Sequence, residues 1–549
     1  MIFKTIFNCL IDFNRFCLFI HIILVLTFCS CNESNNIEKS KVFRYNSENG
    51  ITSLDPAFAR TQDNIWAVSQ LFNGLVQLDK NLNILPCIAR RWEISADGLK
   101  YTFYLRNDVL FHKSDVFKNK KQRKVVASDF VFSFNRIIDE KTASPGSWIF
   151  NDKIASNPFV ALNDTIFIIN LKKAFPPFLG LLTMPYCFAV PSEAIKKHGK
   201  DFGRNPVGTG PFVFGKWNEE VKLIFLKNEE YFETDNGVQL PFIDAVAVSF
   251  LDDKQTAFLE FLQGNLSFFN GVESSFKDEI INKDGSLKSK YKTKFKSLKT
   301  PFLNTEYIAF LVDDSLENSK NHPLYDKNLR LAINYAIDKK SLIKYLRNNI
   351  GTPANGGFVP IGLAGHYKNE NFVFDIKKSK FYLEKSKWFK TKKPVTLYTT
   401  KDYLDICLFI QKDLRKAGID IKIEVQPASF LKEEKSNNRL NFFRGSWIAD
   451  YPDAENYLAC FYSPNYSPQG PNYTHFKNLK FDQLYDSVFK AANENDRVEI
   501  YHRMENILMN ECPVIPLFYD QSLRLINNNV KNLDNNPTNS LDLKRVKIE

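Results

Sequence analysis

The sequence is poor in the residue patterns that build metal sites and active sites. Its 549 residues include nine cysteines and seven histidines, and none of these stands in a CxxC or HExxH arrangement. No phosphate-binding loop and no Gly-x-Ser-x-Gly nucleophile elbow occurs. We therefore expect no metal, no cofactor and no enzymatic activity. A catalytic triad assembled from residues far apart in the sequence stays open as an alternative.

The charge of the chain is not concentrated on any one element. There are 73 Lys and Arg residues against 62 Asp and Glu residues, which gives a formal charge of +11. The Lys-rich stretch 118–124 is short, whereas nucleic-acid binding requires positive charge gathered on one surface. We expect no nucleic-acid partner. The length and the ordinary share of apolar residues, 44%, predict a globular protein of roughly three folding units.

The N-terminus has the pattern of an export signal. Lys4 and Arg15 precede the apolar run Phe16–Cys29, which is too short to cross a ~30 Å hydrocarbon core and fits a signal-peptide core. The small residue before Cys31 resembles a bacterial lipobox, so we expect residues 1–30 to be removed, Cys31 to carry lipid and residues 31–39 to form a tether. Cleavage without lipidation and an uncleaved anchor are the alternatives.

Export leaves five cysteines beyond Cys31, and they are far apart in the sequence. They are Cys87, Cys187, Cys407, Cys460 and Cys512. An odd number of scattered cysteines argues against a disulfide framework and leaves a single bridge open. Cys407 lies in an apolar helical run, which predicts a buried thiol.

The remaining chain alternates between strand and helix patterns. Trp92–Ser95 and Lys100–Leu105 flank Gly98 and predict a β-hairpin. Ser128 is expected to cap a helix that runs to Ile138. A mixed α/β architecture follows from these patterns.

A strand–helix–strand unit stands out in the second half. It consists of Val395–Tyr398, Tyr403–Lys416 and the alternating run Ile419–Val425. Such a tight connection implies a right-handed crossover between parallel strands, and ligands gather beyond the carboxyl ends of such strands. Asp338 is expected to cap a helix that follows the helix Leu329–Ile337.

The segment Asn205–Phe212 is the sharpest local motif. Gly208 and Gly210 stand between two prolines, and glycine permits backbone angles closed to other residues. A plain tight turn is the simplest interpretation, and a phosphate loop is excluded because the third glycine is missing.

With its neighbours, this segment resembles the family 5 extracellular solute-binding proteins of ABC transporters, which include the oligopeptide and dipeptide receptors. The resemblance runs from about residue 42 to about residue 525. It rests on short motifs in one order and spacing, namely Ser53–Pro56, Leu71–Leu75, Leu85–Gly98, Tyr101–Arg106, Ala127–Ser133, Pro206–Phe212, Leu329–Ile333, Ala336–Asp338 and Ala417–Ile419.

The resemblance implies an α/β fold: a two-lobe clamshell of the periplasmic-binding-protein type, with an extra domain on one lobe. Residues 40–62, 183–301 and 515–549 would form domain I, the first lobe. Residues 63–182 would form the extra domain II, and residues 302–514 would form domain III, the second lobe. Ligand would be enclosed between the lobes, which close by a hinge motion.

The resemblance also implies a ligand anchor at the Trp-x-x-Asp run that begins with Trp447. Peptide-binding members carry at the position of Asp450 a carboxylate that pairs with the ligand's α-amino group. A partly desolvated carboxylate holds an ammonium by charge-assisted hydrogen bonds. Asp453 is the neighbour most easily mistaken for this anchor. Trp447 fits either the cleft wall or the core.

Further ligand contacts are implied on both sides of the cleft. Ser446 and Ile448 match positions whose backbone pairs with an extended peptide. Arg60, Thr61 and Gln62 match the facing segment of the first lobe. Arg60 and Arg444 are candidates for the carboxylate of a peptide.

The function expected from this resemblance is that of a monomeric, lipid-anchored, extracytoplasmic receptor that delivers peptides to an ABC permease. Asp450 is the reason for preferring peptides. Nickel chelates, opines and oligosaccharides are rival solutes. A sensor or chaperone-like lipoprotein without a transport role would use the same cleft.

Overall fold

The computed structural model describes residues 41–118, 122–271, 277–491 and 493–549. The predicted signal peptide, Cys31 and the tether lie outside the described residues. Within the described ranges, no helix is both long enough and apolar enough to span a membrane.

The first sheet has four strands, with parallel pairing between its first two and antiparallel pairing elsewhere. In spatial order they are β1 (Val42–Asn46), β12 (Ala245–Ser249), β9 (Lys222–Lys227) and β8 (Phe212–Asn218). Helix α1 (Gln62–Leu71) belongs to the same core, where the rings of Trp66 and Tyr45 meet edge to face with centroids 6.1 Å apart.

Gly208 and Gly210 are required for close approach rather than for unusual backbone angles. Neither has a positive φ, so the expectation of special angles is wrong. A Cβ at either position would collide with the backbone of Leu71, and the N–H of Gly210 donates to the Leu71 carbonyl at 2.8 Å. The motif therefore packs the segment before β8 closely against the C-terminal end of α1.

The second sheet is antiparallel and confirms the predicted hairpin. Its strands, in spatial order, are β4 (Ala89–Ile94), β5 (Lys100–Leu105), β7 (Ile166–Leu171) and β6 (Ile154–Asn163). Gly98 in the turn has φ +69°, which is accessible mainly to glycine. We call the part of the molecule built on the first and second sheets the first lobe.

Helix α2 (Ala127–Ile138) packs on the second sheet, but Ser128 does not cap it. The N-cap position is Val126, whose backbone N–H donates to the Asp129 carboxylate at 2.9 Å. The carboxylate of the third helical residue thus satisfies the N–H of the N-cap residue. The predicted cap was two residues too late.

The third sheet is the frame of the second lobe. Its strands, in spatial order, are β13 (Phe268–Asn270), β19 (Val514–Asn527), β14 (Phe295–Phe310), β18 (Phe442–Ile448), β16 (Thr396–Thr399) and β17 (Lys422–Val425), with β15 (Thr352–Pro353) beside β19. Strands β16 and β17 are parallel, and α12 (Leu404–Lys416) connects them, which confirms the predicted strand–helix–strand unit.

The long strands β14 and β19 run through both lobes. Residues 295–301 pair with residues 521–527, and residues 305–309 pair with residues 514–519. The register shifts between Pro301 and Thr305. The molecule therefore has the two-lobe α/β fold, with two chain crossings side by side at this irregularity.

The remaining elements are short strand pairs and helices around these sheets. The strand pairs are β2 (Val76–Leu78) with β3 (Ile84–Pro86), β10 (Thr234–Asp235) with β11 (Val238–Gln239), and β20 (Val530–Lys531) with β21 (Lys547–Ile548). The helices are α3 (Phe178–Leu181), α4 (Ser192–His198), α5 (Lys254–Leu262), α6 (Lys277–Ile280), α7 (Glu317–Lys320), α8 (Lys327–Ala336), α9 (Lys339–Leu346), α10 (Ile376–Lys385), α11 (Trp388–Thr391), α13 (Ala428–Ser436), α14 (Glu455–Leu458), α15 (Leu479–Val488) and α16 (Glu494–Glu511).

Two local predictions are confirmed in this set. The Asp338 carboxylate caps α9 by accepting the N–H of Ser341 at 2.9 Å. The five cysteines that lie within the described ranges all have free, buried thiols, including Cys407 in α12.

Candidate functional site

A cavity of about 800 Å³ lies between the lobes. Its walls come from residues 59–78, 145–148 and 183–188 of the first lobe, from residues 448–452 of the second lobe, and from the C-terminal residues 538–544. Four of the predicted site residues line it, namely Arg60, Gln62, Ile448 and Asp450. Thr61, Ser446 and Trp447 do not line its wall with their side chains.

Asp450 presents a carboxylate to this cavity without a cationic partner. The residue is open to the cavity, and no Lys, Arg or His of the described residues forms an ion pair with it. Burial among surrounding protein atoms raises the pKa of the carboxyl, and a hydrogen bond from Asn456 opposes that rise. Such a carboxylate is stabilised by an incoming cation.

Asp453, the alternative anchor, is already fully used inside the protein. Its carboxylate accepts hydrogen bonds from Arg497 at 3.0 Å, from the Tyr501 hydroxyl at 2.7 Å and from the Glu455 N–H at 2.9 Å. Its side chain is only 11% exposed. Of these two neighbouring carboxylates, Asp450 is therefore the one that lines the cavity and has no cationic partner among the described residues.

Trp447 packs into the core of the second lobe and does not line the cavity. Its ring packs against the core on one face of the third sheet, and its indole N–H donates to the Asn456 Oδ1 atom at 3.0 Å. The same oxygen accepts the backbone N–H of Asp450 at 3.2 Å. Asn456 thus ties the two ends of the Trp-x-x-Asp run together.

At the cavity end of β18, the backbone N–H and C=O groups of successive residues point alternately toward β14 and away from it. Ala449 donates its N–H to the Leu303 carbonyl at 2.9 Å, which marks a hydrogen-bonded pair of the β14–β18 ladder. Such pairs alternate in antiparallel ladders, so Trp447 also bonds across to β14. The N–H and C=O groups of Ser446 and Ile448 therefore point away from β14.

The edge to which those groups point is open. Strand β16, the neighbour of β18 on that side, pairs with it only at Phe443 opposite Tyr398 and ends at Thr399. Beyond this bridge, the described residues provide no further strand partner for Ser446 and Ile448. An extended chain placed here would gain backbone hydrogen bonds as an added strand.

Arg60 lies across the cavity and has no carboxylate partner among the described residues. The phenol of Tyr186 experiences both charges: Arg60 lowers its pKa and Asp450 raises it, while burial is the main cause of its net rise. Arg60 and Asp450 are therefore within electrostatic reach of one side chain.

Three other predicted residues have identifiable local contacts. Thr61 is the N-cap of α1, with its hydroxyl accepting the Asn64 N–H at 3.4 Å. Gln62 lines the cavity, and its amide donates to the Asn539 carbonyl at 3.4 Å. Arg444 is buried, pairs with Glu306 and stacks on the ring of Tyr403, so it is not available to a peptide carboxylate.

His475 lies between Ser467, eight residues before it, and Asp313 from a distant segment. The Nδ1 atom of His475 lies 2.6 Å from an Asp313 carboxylate oxygen, but its Nε2 atom lies 3.0 Å from the Ser467 carbonyl oxygen. The Ser467 hydroxyl lies 3.3 Å from the same Nε2 atom, and it donates to the Asn438 Oδ1 atom at 2.7 Å. All three residues are buried. The Nε2 atom is thus closer to the Ser467 carbonyl oxygen than to its hydroxyl, and the hydroxyl proton is directed to Asn438.

Sequence reasoning missed Asn456 and Tyr186. Asn456 stands six residues after Asp450 without a pattern that marks it, and its role depends on how the chain turns between them. Tyr186 comes from a distant segment of the first lobe. Only the folded arrangement brings these residues close to Asp450.

The two-lobe fold and the cavity between the lobes define a solute-binding protein. Residues 83–469 match the family described as bacterial extracellular solute-binding proteins, family 5. The chain belongs to that family, which consists of substrate-binding transport proteins.

Relatives of the chain bind more than one kind of solute. It is 25% identical to the dipeptide-binding protein DppE of Bacillus subtilis, over 94% of this chain and 95% of the relative. It is 26% identical to heme-binding protein A of Haemophilus influenzae, over 93% and 95%. The ABC transporter-associated protein DppA of Helicobacter pylori, solved with the peptide STSA, aligns with a TM-score of 0.71 and 25% identity over 93% of this chain and 99% of that one.

Proposed function

We propose that this protein is an extracytoplasmic receptor that binds peptides in the cavity between its lobes and delivers them to the permease of an ABC transporter. The observation that carries the proposal is the unpaired Asp450 carboxylate beside the open edge of β18. The carboxylate suits a terminal ammonium, and the open strand edge suits an extended peptide backbone.

The chemistry of the two features is complementary. Asp450 receives the α-ammonium in charge-assisted hydrogen bonds, and a ligand without that charge leaves the enclosed carboxylate uncompensated, which is costly. Ser446 and Ile448 exchange backbone hydrogen bonds with the peptide. Because backbone contacts are independent of side chains, selectivity for peptide sequence is broad.

The first lobe supplies the facing contacts. Arg60 pairs with a carboxylate of the ligand, since its guanidinium has no carboxylate partner among the described residues. Gln62 offers an amide at the cavity wall, and Thr61 fixes the start of α1 and hence the position of this segment. Trp447 supports the anchor from behind.

We propose the domain division 40–62, 183–301 and 515–549 for domain I, 63–182 for domain II, and 302–514 for domain III. The lobes close on ligand about the crossings of β14 and β19, as hinge-type receptors do. Small-angle X-ray scattering at saturating ligand should show a smaller radius of gyration. An unchanged radius at demonstrated saturation would contradict the hinge.

We place the mature protein outside the cytoplasm as a monomer attached to a membrane through Cys31. Two or more acyl chains give stable attachment, because each buried CH₂ contributes about 0.8 kcal/mol. Intact-mass analysis of membrane extracts should show an acylated N-terminal Cys31, and Cys31→Ala should leave the protein unlipidated. An unmodified Cys31 or another N-terminus would refute the anchor.

Native mass spectrometry of freshly purified protein, followed by calorimetry, tests the choice of solute. The expected result is copurified peptide and measurable binding of trialanine, without binding of heme, a nickel chelate, an opine or an oligosaccharide. Binding of one of those solutes in place of peptides would overturn the proposal. Unimpaired peptide uptake after deletion of the gene would indicate a sensor rather than a transport receptor.

A further inference from the structure

We propose that Asn456 is the positioning residue that holds the Asp450 carboxylate in its binding geometry. This inference rests on the proposed function of Asp450. Asn456 is 6% exposed. Its Oδ1 atom accepts the Trp447 indole N–H at 3.0 Å and the Asp450 backbone N–H at 3.2 Å, and its Nδ2 atom donates to the Asp450 Oδ2 atom at 3.3 Å.

A primary amide fits this position because both of its ends are used. The acceptor end holds the backbone of Asp450, and the donor end holds its side chain. A carboxylate at residue 456 would keep the acceptor and lose the donor, whereas alanine would lose both. The three hydrogen bonds are separable by substitution, which makes the role testable.

The amide is itself held in place by its surroundings. Asn456 lies in α14, whose first residue donates its N–H to Asp453 at 2.9 Å. The next residue, Tyr457, donates its hydroxyl to the Leu303 carbonyl at 2.7 Å. The short helix is thereby tied both to the Asp453–Arg497 ion pair and to β14, so the position of the Asp450 carboxylate depends on the second-lobe core.

The described groups that face Asp450 are two phenols, a thiol and, across one of the phenols, a guanidinium. Tyr186 faces it from the first lobe, and Tyr457 and Cys460 face it from the second; the pKa of each is raised above its usual value, mainly by burial. Arg60 reaches the same region across Tyr186. Because the α-amino group of the peptide also titrates near pH 8, the difference in pH dependence between the wild type and an Asn456 variant, measured with the same peptide, is what reports on Asp450.

The experiment measures the affinity of trialanine and N-acetyl-trialanine by calorimetry between pH 4.5 and 8, with thermal unfolding of each protein as a check on folding. The variants are Asn456→Ala and Asn456→Asp. Asn465→Ala is the matched control, because Asn465 donates to the Ala459 carbonyl at 3.0 Å nearby and has no described hydrogen bond to Asp450.

We expect Asn456→Ala to weaken trialanine binding about tenfold at pH 7, the effect of one hydrogen bond to a charged group, with little effect on the acetylated peptide. The pH at which half of the affinity is lost should move upward, because the donor that lowers the pKa of Asp450 is gone. Asn456→Asp should move it further, because it adds a like charge. Asn465→Ala should leave both quantities unchanged.

The inference is overturned if the folded Asn456 variants keep the wild-type penalty for acetylation and the wild-type pH midpoint. If Asn456→Ala does not fold, Asn456→Asp decides alone, since it keeps the acceptor contacts. Wild-type protein that binds both peptides equally would instead contradict the proposed function of Asp450 and would be recognised before any variant is measured.

Discussion

The guanidinium of Arg497 lies 3.0 Å from the carboxylate of Asp453. The pair is largely buried, with side chains 15% and 11% exposed. Three residues earlier in the sequence, the carboxylate of Asp450 has no cationic partner in the described part of the chain. Two neighbouring acidic residues thus differ in their surroundings: Asp453 joins α14 to α16, and Asp450 faces the cavity without a cationic partner among the described residues.

Asp453→Ala should therefore act on stability rather than on recognition. Removing one partner of a buried ion pair leaves Arg497 uncompensated and should lower the free energy of unfolding by about 3 kcal/mol, as measured by urea titration. The ratio of affinities for free and N-acetylated trialanine should stay close to that of the wild type. A loss of that discrimination with unchanged stability would make Asp453 the anchor instead.

Arg60→Gln should weaken the binding of trialanine by roughly tenfold to a hundredfold, because a hydrogen-bonded ion pair with the peptide carboxylate is lost. The binding of trialaninamide, which lacks that carboxylate, should change little. Arg545→Gln is the control, since Arg545 is half exposed and does not line the cavity. Equal losses for acid and amide would show that Arg60 does not receive the carboxylate.

Ser446→Pro should separate the fold from ligand binding. The N–H of Ser446 points away from β14, so proline removes no bond of that ladder, as at other edge positions. Trialanine binding should weaken about fivefold to tenfold through the lost backbone hydrogen bond, whereas Ser446→Ala should bind normally. Calorimetry and circular dichroism measure the two effects. Full affinity in the folded proline variant would exclude strand addition at this edge.

Glu505 should make stability depend on pH. Its fully buried carboxyl accepts the N–H groups of Phe358 at 2.8 Å and Val359 at 2.7 Å, and burial raises its pKa to about 7. The native state therefore keeps a proton that the unfolded chain releases above about pH 4.3. Its contribution is complete at lower pH and is lost as the pH rises through 7, a change of roughly 3 kcal/mol.

Glu505→Gln should flatten the stability profile between pH 5 and 7.5, as followed by urea unfolding at each pH. The substitution Glu499→Gln, at an exposed position of the same helix, should leave the profile unchanged. A Gln variant with the full wild-type slope would assign the pH dependence to other groups.

The sequence predicted the elements whose signals are local. The hairpin around Gly98, the β16–α12–β17 unit and the Asp338 cap each depend on a few adjacent residues, and all three are confirmed. The predicted Ser128 cap failed because a carboxylate at Asp129 satisfies the helix start instead. The reason for the two glycines of the 205–212 motif was also wrong, since it depends on contact with Leu71.

The candidate site was predictable only in part, because it depends on contacts between segments that are far apart in the sequence. The resemblance selected Asp450, but the distinction from Asp453 depends on Arg497 and Tyr501, which come from α16. Likewise, the burial of Arg444 against Glu306 follows from the pairing of β14 with β18 and not from the sequence near Arg444. Contacts between distant segments decide which charged group stays free.

The most direct test of the central claim is a calorimetric cycle of wild-type and Asp450→Asn protein with trialanine and N-acetyl-trialanine. Asn keeps the shape and removes the charge, so trialanine binding should weaken by about 2–5 kcal/mol. Acetylation should cost the wild type a similar amount and the variant far less, which isolates the coupling between amine and carboxylate. Asp542→Asn, a cavity-lining control, should behave as the wild type. Equal wild-type affinity for the two peptides would contradict the account.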